Sequence, residues 1–396
     1  MADKDPVVIV GAARTPMGGL LGELAPLQAW ELGAAAIRAA LERAGVSAED
    51  VDETIMGCVL PAGQGQAPAR QASKAAGIPD KAGAVTVNKM CGSGMKAVMI
   101  GHDSILAGTN RIVVAGGMES MTNAPYLLPK ARGGYRLGHG EVKDHMFLDG
   151  LEDAYDRGKL MGVFAENTAR HYQFTREQQD AYALESLKRA LKAGEDGSFA
   201  AEIVPVKVPT RGGEVEIAID EQPRKAKPEK IPQLKPAFAK DGTVTAANAS
   251  SISDGAAALI IMRRSEAEKR GLPVLAEIRA HATHSQEPEW FTTAPVGAIR
   301  KVLEKAGWGK DEVDLYEINE AFAVVTMAAM KELGLPHEKV NVYGGACALG
   351  HPIGASGARI IVTLLNALKR TGGRRGVASL CIGGGEATAV AVELAA

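Results

Sequence analysis

The chain has 396 residues, of which 46% are hydrophobic and 23% are charged, a composition typical of globular proteins with two or three domains. Its net charge of −2 argues against nucleic-acid or membrane-surface partners, since such proteins carry a basic excess. No apolar run approaches the roughly 18 residues that span a bilayer, and residues 1–6 lack a signal-peptide pattern. Four cysteines are too few for a disulfide framework, so we expect a cytoplasmic protein with reduced thiols.

Short apolar strands alternate with helices along the chain. Residues 7–10 are a β-branched run, residues 32–44 are an Ala- and Leu-rich helix pattern closed by Gly45, and residues 112–115 are a second strand pattern followed by two glycines. This alternation predicts α/β layers.

An internal repeat indicates two related halves. Residues 36–52 align without a gap with residues 298–314, and nine of these seventeen positions are identical. Ser93 and Ser356, each followed by glycine, open predicted helices at nearly the same offset. Because the period far exceeds about 50 residues, the repeat predicts two α/β halves rather than a solenoid.

The halves are separated by an irregular segment from about 122 to 248. Within it, residues 222–240 hold four prolines and six basic residues against one acid. Prolines at this density exclude a continuous helix. The run is either a solvated loop or a positive rim for an anionic cofactor.

Cys91 lies between a β-branched strand pattern and a helix, in a turn of small residues. The N–H groups and dipole at a helix N-terminus favour a thiolate, and the same N–H groups suit an oxyanion. The alternative is a small buried side chain.

His351 lies in a glycine-rich loop at residues 344–357, just before a predicted helix. A neutral histidine there suits a base or a hydrogen-bond donor, and the alternative is a structural histidine. Cys347, which lacks such a turn, is interpreted as a packing residue.

Cys381 ends a strand pattern and meets three glycines before a second strand at 387–392. This position favours exposure to a ligand, against the alternative of a buried cysteine. Asn319 and Glu320 follow a strand and precede a helix, so they are candidates for an N-cap or, for the amide, for orienting a water.

Two cysteines and a histidine in glycine-rich turns suit nucleophile-plus-base catalysis. A zinc site is disfavoured because the chain has no C-x₂-C pair, and the same absence argues against a redox dithiol. His281 and His284 have ligand-like spacing, but without partner acids or cysteines nearby in sequence we expect no metal there.

Four ordered blocks, at residues 88–94, 319–322, 350–354 and 381–385, resemble the signature blocks of thiolases, and residues 116–121 and 248–250 extend the likeness. The chain looks closest to the acetyl-CoA acetyltransferases. The resemblance implies an α/β thiolase fold, five-layered αβαβα, with halves at 1–121 plus 249–274 and at 275–396. It further implies a CoA-binding loop domain at 122–248 and a homotetramer built as a dimer of dimers.

The resemblance also implies a role for each catalytic residue. Cys91 becomes the acyl-accepting nucleophile, and His351 activates it. Asn319 holds a water that completes an oxyanion hole with His351. Cys381 moves the α-proton of a second acetyl-CoA, and the N–H groups of Cys91 and Gly383 form a second oxyanion hole.

Acetyl-CoA, acetoacetyl-CoA and CoA are the implied ligands, with no permanently bound cofactor and no metal. The implied CoA contacts are Leu151, Met161, Arg224 (near the nucleotide end), Phe238, Ala246, Ser250, Ala321 and Phe322. Trp290, Phe291 and Met161 are expected to cap a short acyl pocket.

The sequence departs from relatives at three places. Leu160 replaces a histidine found in many relatives. Trp290 and Phe291 are aromatic where many relatives have Val-Met, and a phenylalanine there resembles relatives that also accept 2-methyl-branched substrates. Those relatives use potassium through a tyrosine, but Gln222 stands at that place, so potassium is not carried over. A broader 3-ketoacyl-CoA thiolase and a non-catalytic CoA- or lipid-binding relative are the alternatives to an acetyl-CoA acetyltransferase.

Overall fold

The computed structural model describes residues 5–395. Most of residues 1–6, which lack a signal-peptide pattern, therefore lie outside the described residues. The strands are β1 (Val7–Arg14), β2 (Gly18–Gly19), β3 (Glu53–Gly57), β4 (Gly83–Val87), β5 (Ile112–Ser120), β6 (Tyr126–Leu127), β7 (Lys143–Asp144), β8 (Val206–Thr210), β9 (Gly213–Ile217), β10 (Ser253–Arg263), β11 (Ala276–Ser285), β12 (Leu315–Ile318), β13 (Arg375–Ile382) and β14 (Glu386–Leu394).

The helices are α1 (Ala29–Ala44), α2 (Pro68–Ala75), α3 (Ser93–Leu106), α4 (Met161–Tyr172), α5 (Arg176–Glu195), α6 (Glu221–Lys225), α7 (Arg264–Lys269), α8 (Ala294–Ala306), α9 (Ala323–Leu333), α10 (Ala346–Leu349) and α11 (Ile353–Thr371). Short 3₁₀ turns lie at Ala48–Asp50, Ala131–Gly133, Pro228–Gln233, Pro288–Thr293, Lys310–Glu312 and His337–Lys339, and one π turn lies at Phe147–Leu151.

The strands of both halves join in one twisted ten-stranded sheet. Its order is β12-β13-β14-β11-β1-β10-β5-β3-β4, with β2 paired to the end of β10. The two halves meet where β1 pairs with β11, and that pairing has only two partners, Val8 with Glu277 and Ile9 with Ala276. The narrow junction lets the two parts of the sheet turn relative to each other and enclose helices between them.

Alternating side chains of the strands pack into three separate cores. Val8 and Val10 of β1 pack with α1 and α2 on one outer face, whereas Val7 and Ile9 point to α3 and α11. Strands β11–β14 contribute to the same central core and also pack against α8 and α9 on the far face. This arrangement of helices, strands, helices, strands and helices confirms the five-layered α/β prediction.

The repeat predicted from sequence corresponds to α1 and α8. Both helices end at a glycine in the left-handed region, Gly45 with φ 66° and Gly307 with φ 69°, a conformation that favours glycine at this cap. The predicted helix start at Ser356 is wrong by one turn, because α11 begins at Ile353.

Strand β5 runs further than the sequence predicted, through its glycines to Ser120. A Cβ added at Gly116 would lie 2.1 Å from the carbonyl oxygen of Ala257 on β10. The glycine therefore permits close strand pairing here rather than ending the strand.

Between β5 and β10 the chain leaves the sheet and forms α4, α5, the β8–β9 hairpin and α6. Buried Arg14 of β1 joins this segment to the sheet, since its guanidinium contacts Glu202 at 2.5 Å and Asp220 at 2.7 Å. The three domain boundaries drawn from the sequence remain a prediction. Within residues 5–395, no helix combines the length and apolar character needed to cross a membrane.

Candidate active site

Cys91 lies in the turn between β4 and α3, and local hydrogen bonds fix its backbone. Met90 adopts a left-handed φ of 46°, which is strained for a residue with a side chain. Its N–H donates to Asn88 Oδ1 at 2.9 Å, and its carbonyl accepts from Ser93 Oγ at 2.6 Å. These bonds hold the turn in which Cys91 reaches the cavity described below.

The sequence predicted a stabilised thiolate at Cys91, but the surroundings favour the thiol. Burial raises the pKa of Cys91 to about 11, because the charged form loses hydration. The backbone N–H groups of Gly383 and of Cys91 itself lie close to the sulfur and lower the pKa, while nearby Glu119 raises it further. Two N–H groups therefore converge on Cys91 Sγ, although burial outweighs them.

His351 is held in one tautomer by Ser356. Its Nδ1 lies 2.5 Å from Ser356 Oγ, and that hydroxyl donates its single proton to the carbonyl of Pro352 at 2.9 Å. Ser356 must therefore accept from Nδ1–H, which leaves Nε2 with a free lone pair. Nε2 is buried and has no protein partner among the described residues.

The imidazole of His351 is neutral. Burial, with a smaller contribution from the guanidinium of Arg359, lowers its pKa to about 3. A neutral imidazole with an unprotonated Nε2 is the form that accepts a proton from a thiol.

Cys381 lies at the end of β13 and is fully buried. Burial is the main cause that raises the pKa of Cys381 well above its usual value, and the adjacent Cys91 adds to it. The structure therefore brings the two cysteines together from distant parts of the chain. After Cys381, Gly385 has φ 88°, and a Cβ there would lie 2.2 Å from the carbonyl oxygen of Gln286, so this tight turn requires glycine.

Asn319 follows β12, but it does not cap α9, whose N-cap is Phe322. Its side chain is buried, and neither amide atom has a partner among the described residues. Buried amides are normally satisfied, so this one fits a bound water or ligand atom.

Glu320, next to Asn319, anchors the same turn. Its carboxylate accepts hydrogen bonds from Tyr182 (2.9 Å), Ser186 (2.7 Å) and Asn341 (2.9 Å). No sequence pattern pointed to these three partners, because they come from α5 and from the loop before α10.

A cavity of about 360 Å³ contains Cys91, His351 and Gly383 in its wall. Cys381 and Asn319 are not among the residues that line it, but Cys381 belongs to the same buried cluster as the lining residues Phe291 and Phe322. Seven of the eight predicted CoA contacts line the cavity: Leu151, Met161, Phe238, Ala246, Ser250, Ala321 and Phe322.

The eighth predicted contact, Arg224, lies outside this cavity and pairs with Glu23 at 2.6 Å. Of the expected acyl-pocket caps, Phe291 and Met161 line the cavity. Trp290 does not, and its ring instead packs against His171 at a centroid distance of 5.2 Å.

A second cavity of about 320 Å³ adjoins the first and shares Ala246 and Ser251 with it. Three lysines of the Pro-rich run line it: Lys225, Lys227 and Lys230. The basic residues thus line a cavity next to the apolar one, which favours the rim interpretation over a freely solvated loop. Cys347, interpreted as a packing residue, also lines this second cavity.

His281 and His284 do not converge. His284 Nε2 lies 3.0 Å from Gln286 Oε1, whereas His281 Nε2 lies 2.8 Å from Asp103 Oδ1. The expectation that no acid lies near this pair is therefore wrong for His281, because α3 packs against β11 and supplies one.

Comparisons with known proteins agree with this geometry. Residues 7–265 match the thiolase N-terminal domain and residues 272–394 match the thiolase C-terminal domain. Acetyl-CoA acetyltransferase 2 of Arabidopsis thaliana is 53% identical, with 98% of this chain and 97% of the relative covered. The cytosolic acetyl-CoA acetyltransferase of Mus musculus is 50% identical, with 99% of each chain covered.

A solved structure, Acat5 thiolase from Ascaris suum in complex with coenzyme A, is 44% identical and superposes with a TM-score of 0.93, with 98% of this chain and 100% of that chain covered. Together with the convergence of Cys91, His351 and Cys381, these matches place the chain in the thiolase family.

Proposed function

We propose that this chain is an acetyl-CoA C-acetyltransferase, which reversibly condenses two acetyl-CoA molecules to acetoacetyl-CoA and CoA. The observation that carries the proposal is the convergence at one cavity of Cys91, two N–H groups aimed at its sulfur, and neutral His351. Cys381 lies directly beside them.

In the first half-reaction, His351 Nε2 takes the thiol proton of Cys91, and the sulfur attacks the thioester carbonyl. The tetrahedral intermediate collapses with cleavage of the carbon–sulfur bond to CoA. The CoA sulfur takes the thiol proton of Cys381, which is left as a thiolate, while His351 Nε2 keeps the proton taken from Cys91. The product is acetyl-Cys91. Its oxygen suits the N–H groups of Gly383 and Cys91, and losing one such donor typically costs roughly 10²–10³ in rate.

In the second half-reaction, the Cys381 thiolate removes an α-proton from a second acetyl-CoA. The resulting enolate carries its charge on the thioester oxygen, where Nε2–H of His351 and a water held by Asn319 donate hydrogen bonds. The α-carbon attacks acetyl-Cys91 and expels the Cys91 sulfur, which takes the proton held on His351 Nε2, so that both thiols and the neutral imidazole are restored. Because burial raises the pKa of Cys381, its thiolate is a strong base in this site.

The substrate has a natural path through the two cavities. The apolar walls of the first, which include Phe238 and Phe322, suit pantetheine and a short acyl group. The phosphates then lie near Lys225, Lys227 and Lys230. Arg224, which pairs with Glu23 at 2.6 Å, lies outside both cavities.

The acyl end of the cavity supports a short substrate. Phe291 is buried there and packs edge-on against Phe164 at a centroid distance of 6.4 Å, with Met161 beside it. Both relatives are named acetyl-CoA acetyltransferases, which supports a short acyl group. A broader 3-ketoacyl-CoA thiolase remains the alternative outcome of the test.

We also propose a homotetramer in the cytoplasm. Strand β4 is a sheet edge, which is available for pairing with a second copy. Segment 126–142 exposes apolar side chains at Tyr126, Leu128, Leu137 and Val142, which suits a second contact between copies. All four cysteines are free, and the mouse relative is named cytosolic. Light scattering at several protein concentrations tests the assembly.

The activity is tested by incubating the protein with acetoacetyl-CoA. We expect one acetyl group on Cys91 by intact-mass and peptide analysis, and a rate that falls as the acyl chain of a 3-ketoacyl-CoA series lengthens. An adduct solely on another cysteine contradicts the site. A rate that is constant along the series favours the broader thiolase instead.

A further inference from the structure

Two histidines and an aspartate meet on the side of the molecule where α3 packs against β11. His102 and Asp103 lie near the C-terminal end of α3, and His281 lies within β11. His102 Nδ1 is 3.0 Å and His281 Nε2 is 2.8 Å from Asp103 Oδ1. One ligand atom from each residue lies within 4.8 Å of the others. We propose that these three side chains bind a divalent first-row transition ion of the Zn²⁺ class.

The donor set selects this class of ion. Two imidazole nitrogens and one carboxylate oxygen suit Zn²⁺, Ni²⁺ or Cu²⁺. Three protein ligands leave one position for water in a tetrahedral zinc site. Mg²⁺ and Ca²⁺ prefer shells of oxygen ligands, which this site does not offer.

The ligands are held in place before an ion arrives. The two imidazole rings lie edge to face, with centroids 5.0 Å apart. The histidine side chains are only 12% and 17% exposed, whereas that of Asp103 is 58% exposed and leaves an entry from solvent. Each donor is carried by regular secondary structure, so little chain entropy is lost on binding.

Neighbouring charges also bear on the affinity of the site. The carboxylate of Asp103, 2.8 Å from His281 Nε2, favours a cation. The ammonium of Lys305 opposes an ion, since it donates to the His281 carbonyl at 3.0 Å and its charge acts on the ring. We therefore expect moderate affinity, strengthened by Lys305→Met.

The site is separate from the proposed chemistry. Helix α3 has 14 residues and spans about 21 Å at about 1.5 Å per residue, with Cys91 before its first turn and His102 near its last. An ion here links a helix of the first half to a strand of the second. It should therefore raise thermal stability by mass action without taking part in catalysis.

The test is equilibrium titration of the metal-free protein with Zn²⁺, followed by calorimetry and by melting temperature. The active-site cysteines also bind Zn²⁺, so the comparison uses variants with the same active site: His102→Gln, Asp103→Asn and His281→Gln, with exposed His139→Gln as the matched control. We expect the parent and His139→Gln to bind one more equivalent of Zn²⁺ than His281→Gln binds, or to bind that equivalent of Zn²⁺ at least about tenfold more tightly than His281→Gln does.

Co²⁺ loading provides an independent readout. The additional equivalent should give a visible spectrum without sulfur-to-cobalt charge transfer, and that spectrum should disappear in His281→Gln. The proposal is refuted if all variants bind the same number of ions with the same affinity. It is also refuted if the additional equivalent of Co²⁺ shows sulfur-to-cobalt charge transfer. None of these outcomes depends on acyltransferase activity.

Discussion

Ser356→Ala provides a direct test of how His351 becomes a base. The hydroxyl of Ser356 accepts from His351 Nδ1–H at 2.5 Å, and it has no exposed surface through which to touch substrate. Removing it leaves a buried N–H without its acceptor, which costs about 1–3 kcal/mol. The ring then gains by turning or by moving its proton to Nε2, and in either state it cannot accept the proton of Cys91.

A cost of about 1–3 kcal/mol corresponds to a loss of about 5- to 150-fold in the competent state. The acetylation rate of Cys91, measured by rapid quenching with acetoacetyl-CoA and CoA, should fall by this factor. KM should change little, because Ser356 does not line the cavity. Ser73→Ala removes another buried hydroxyl, whose side-chain partner within residues 5–395 is Thr54 (3.1 Å), and it should leave the rate unchanged. A Ser356→Ala acetylation rate within twofold of the parent refutes the tautomer argument.

Four further substitutions address other parts of the site. Cys381→Ala should still form acetyl-Cys91 by peptide mass but should lose condensation by about 10²–10⁴-fold; condensation near the parent rate would identify another base. His351→Gln should make the stability of the protein less sensitive to acid. The pKa of His351 is 6.5 in the unfolded chain and about 3 in the folded one, so this histidine destabilises the parent below pH 6.5, by about 1.4 kcal/mol at pH 5.5. Urea unfolding of both proteins at pH 8 and 5.5 measures the difference. Phe291→Ala should raise kcat/KM for 3-ketohexanoyl-CoA relative to acetoacetyl-CoA by about tenfold, and an unchanged ratio would remove Phe291 from the acyl wall. Lys89→Met breaks the 2.6 Å ion pair with Glu386, which joins the Cys91 loop to the turn after Cys381. The rate of condensation should therefore fall more than the rate of acetylation, while the free energy of unfolding changes by less than about 1 kcal/mol. Equal losses in both half-reactions would contradict this coupling.

Much of the fold could be predicted because it repeats. The segment around Gly45 recurs around Gly307, and both glycines close helices that pack on outer faces of the sheet. The central position of α3 and α11 could not be found in this way, since it depends on β1 pairing with β11 through two residues. Such a short pairing leaves no pattern in the sequence.

The glycine-rich turns around Cys91, His351 and Cys381 were visible in the sequence, because a turn needs particular residues at particular positions. The protonation states were not. A helix N-terminus predicted a thiolate at Cys91, whereas its pKa is raised to about 11 by burial. Burial depends on the packing of several elements, and no local pattern of residues reports it.

Burial also explains how three reactive side chains coexist at one site. The same loss of hydration raises the pKa of both cysteines and lowers that of His351, so every group is neutral before substrate arrives. A charge formed there without a partner would be costly, and it would expose a reactive thiolate to water. The thioester supplies the partner, because its carbonyl oxygen takes up the negative charge where N–H groups already point. The neutral resting state therefore costs the buried site little reactivity. Transfer of the Cys91 proton to His351 becomes favourable only when an acyl group is present for the sulfur to attack.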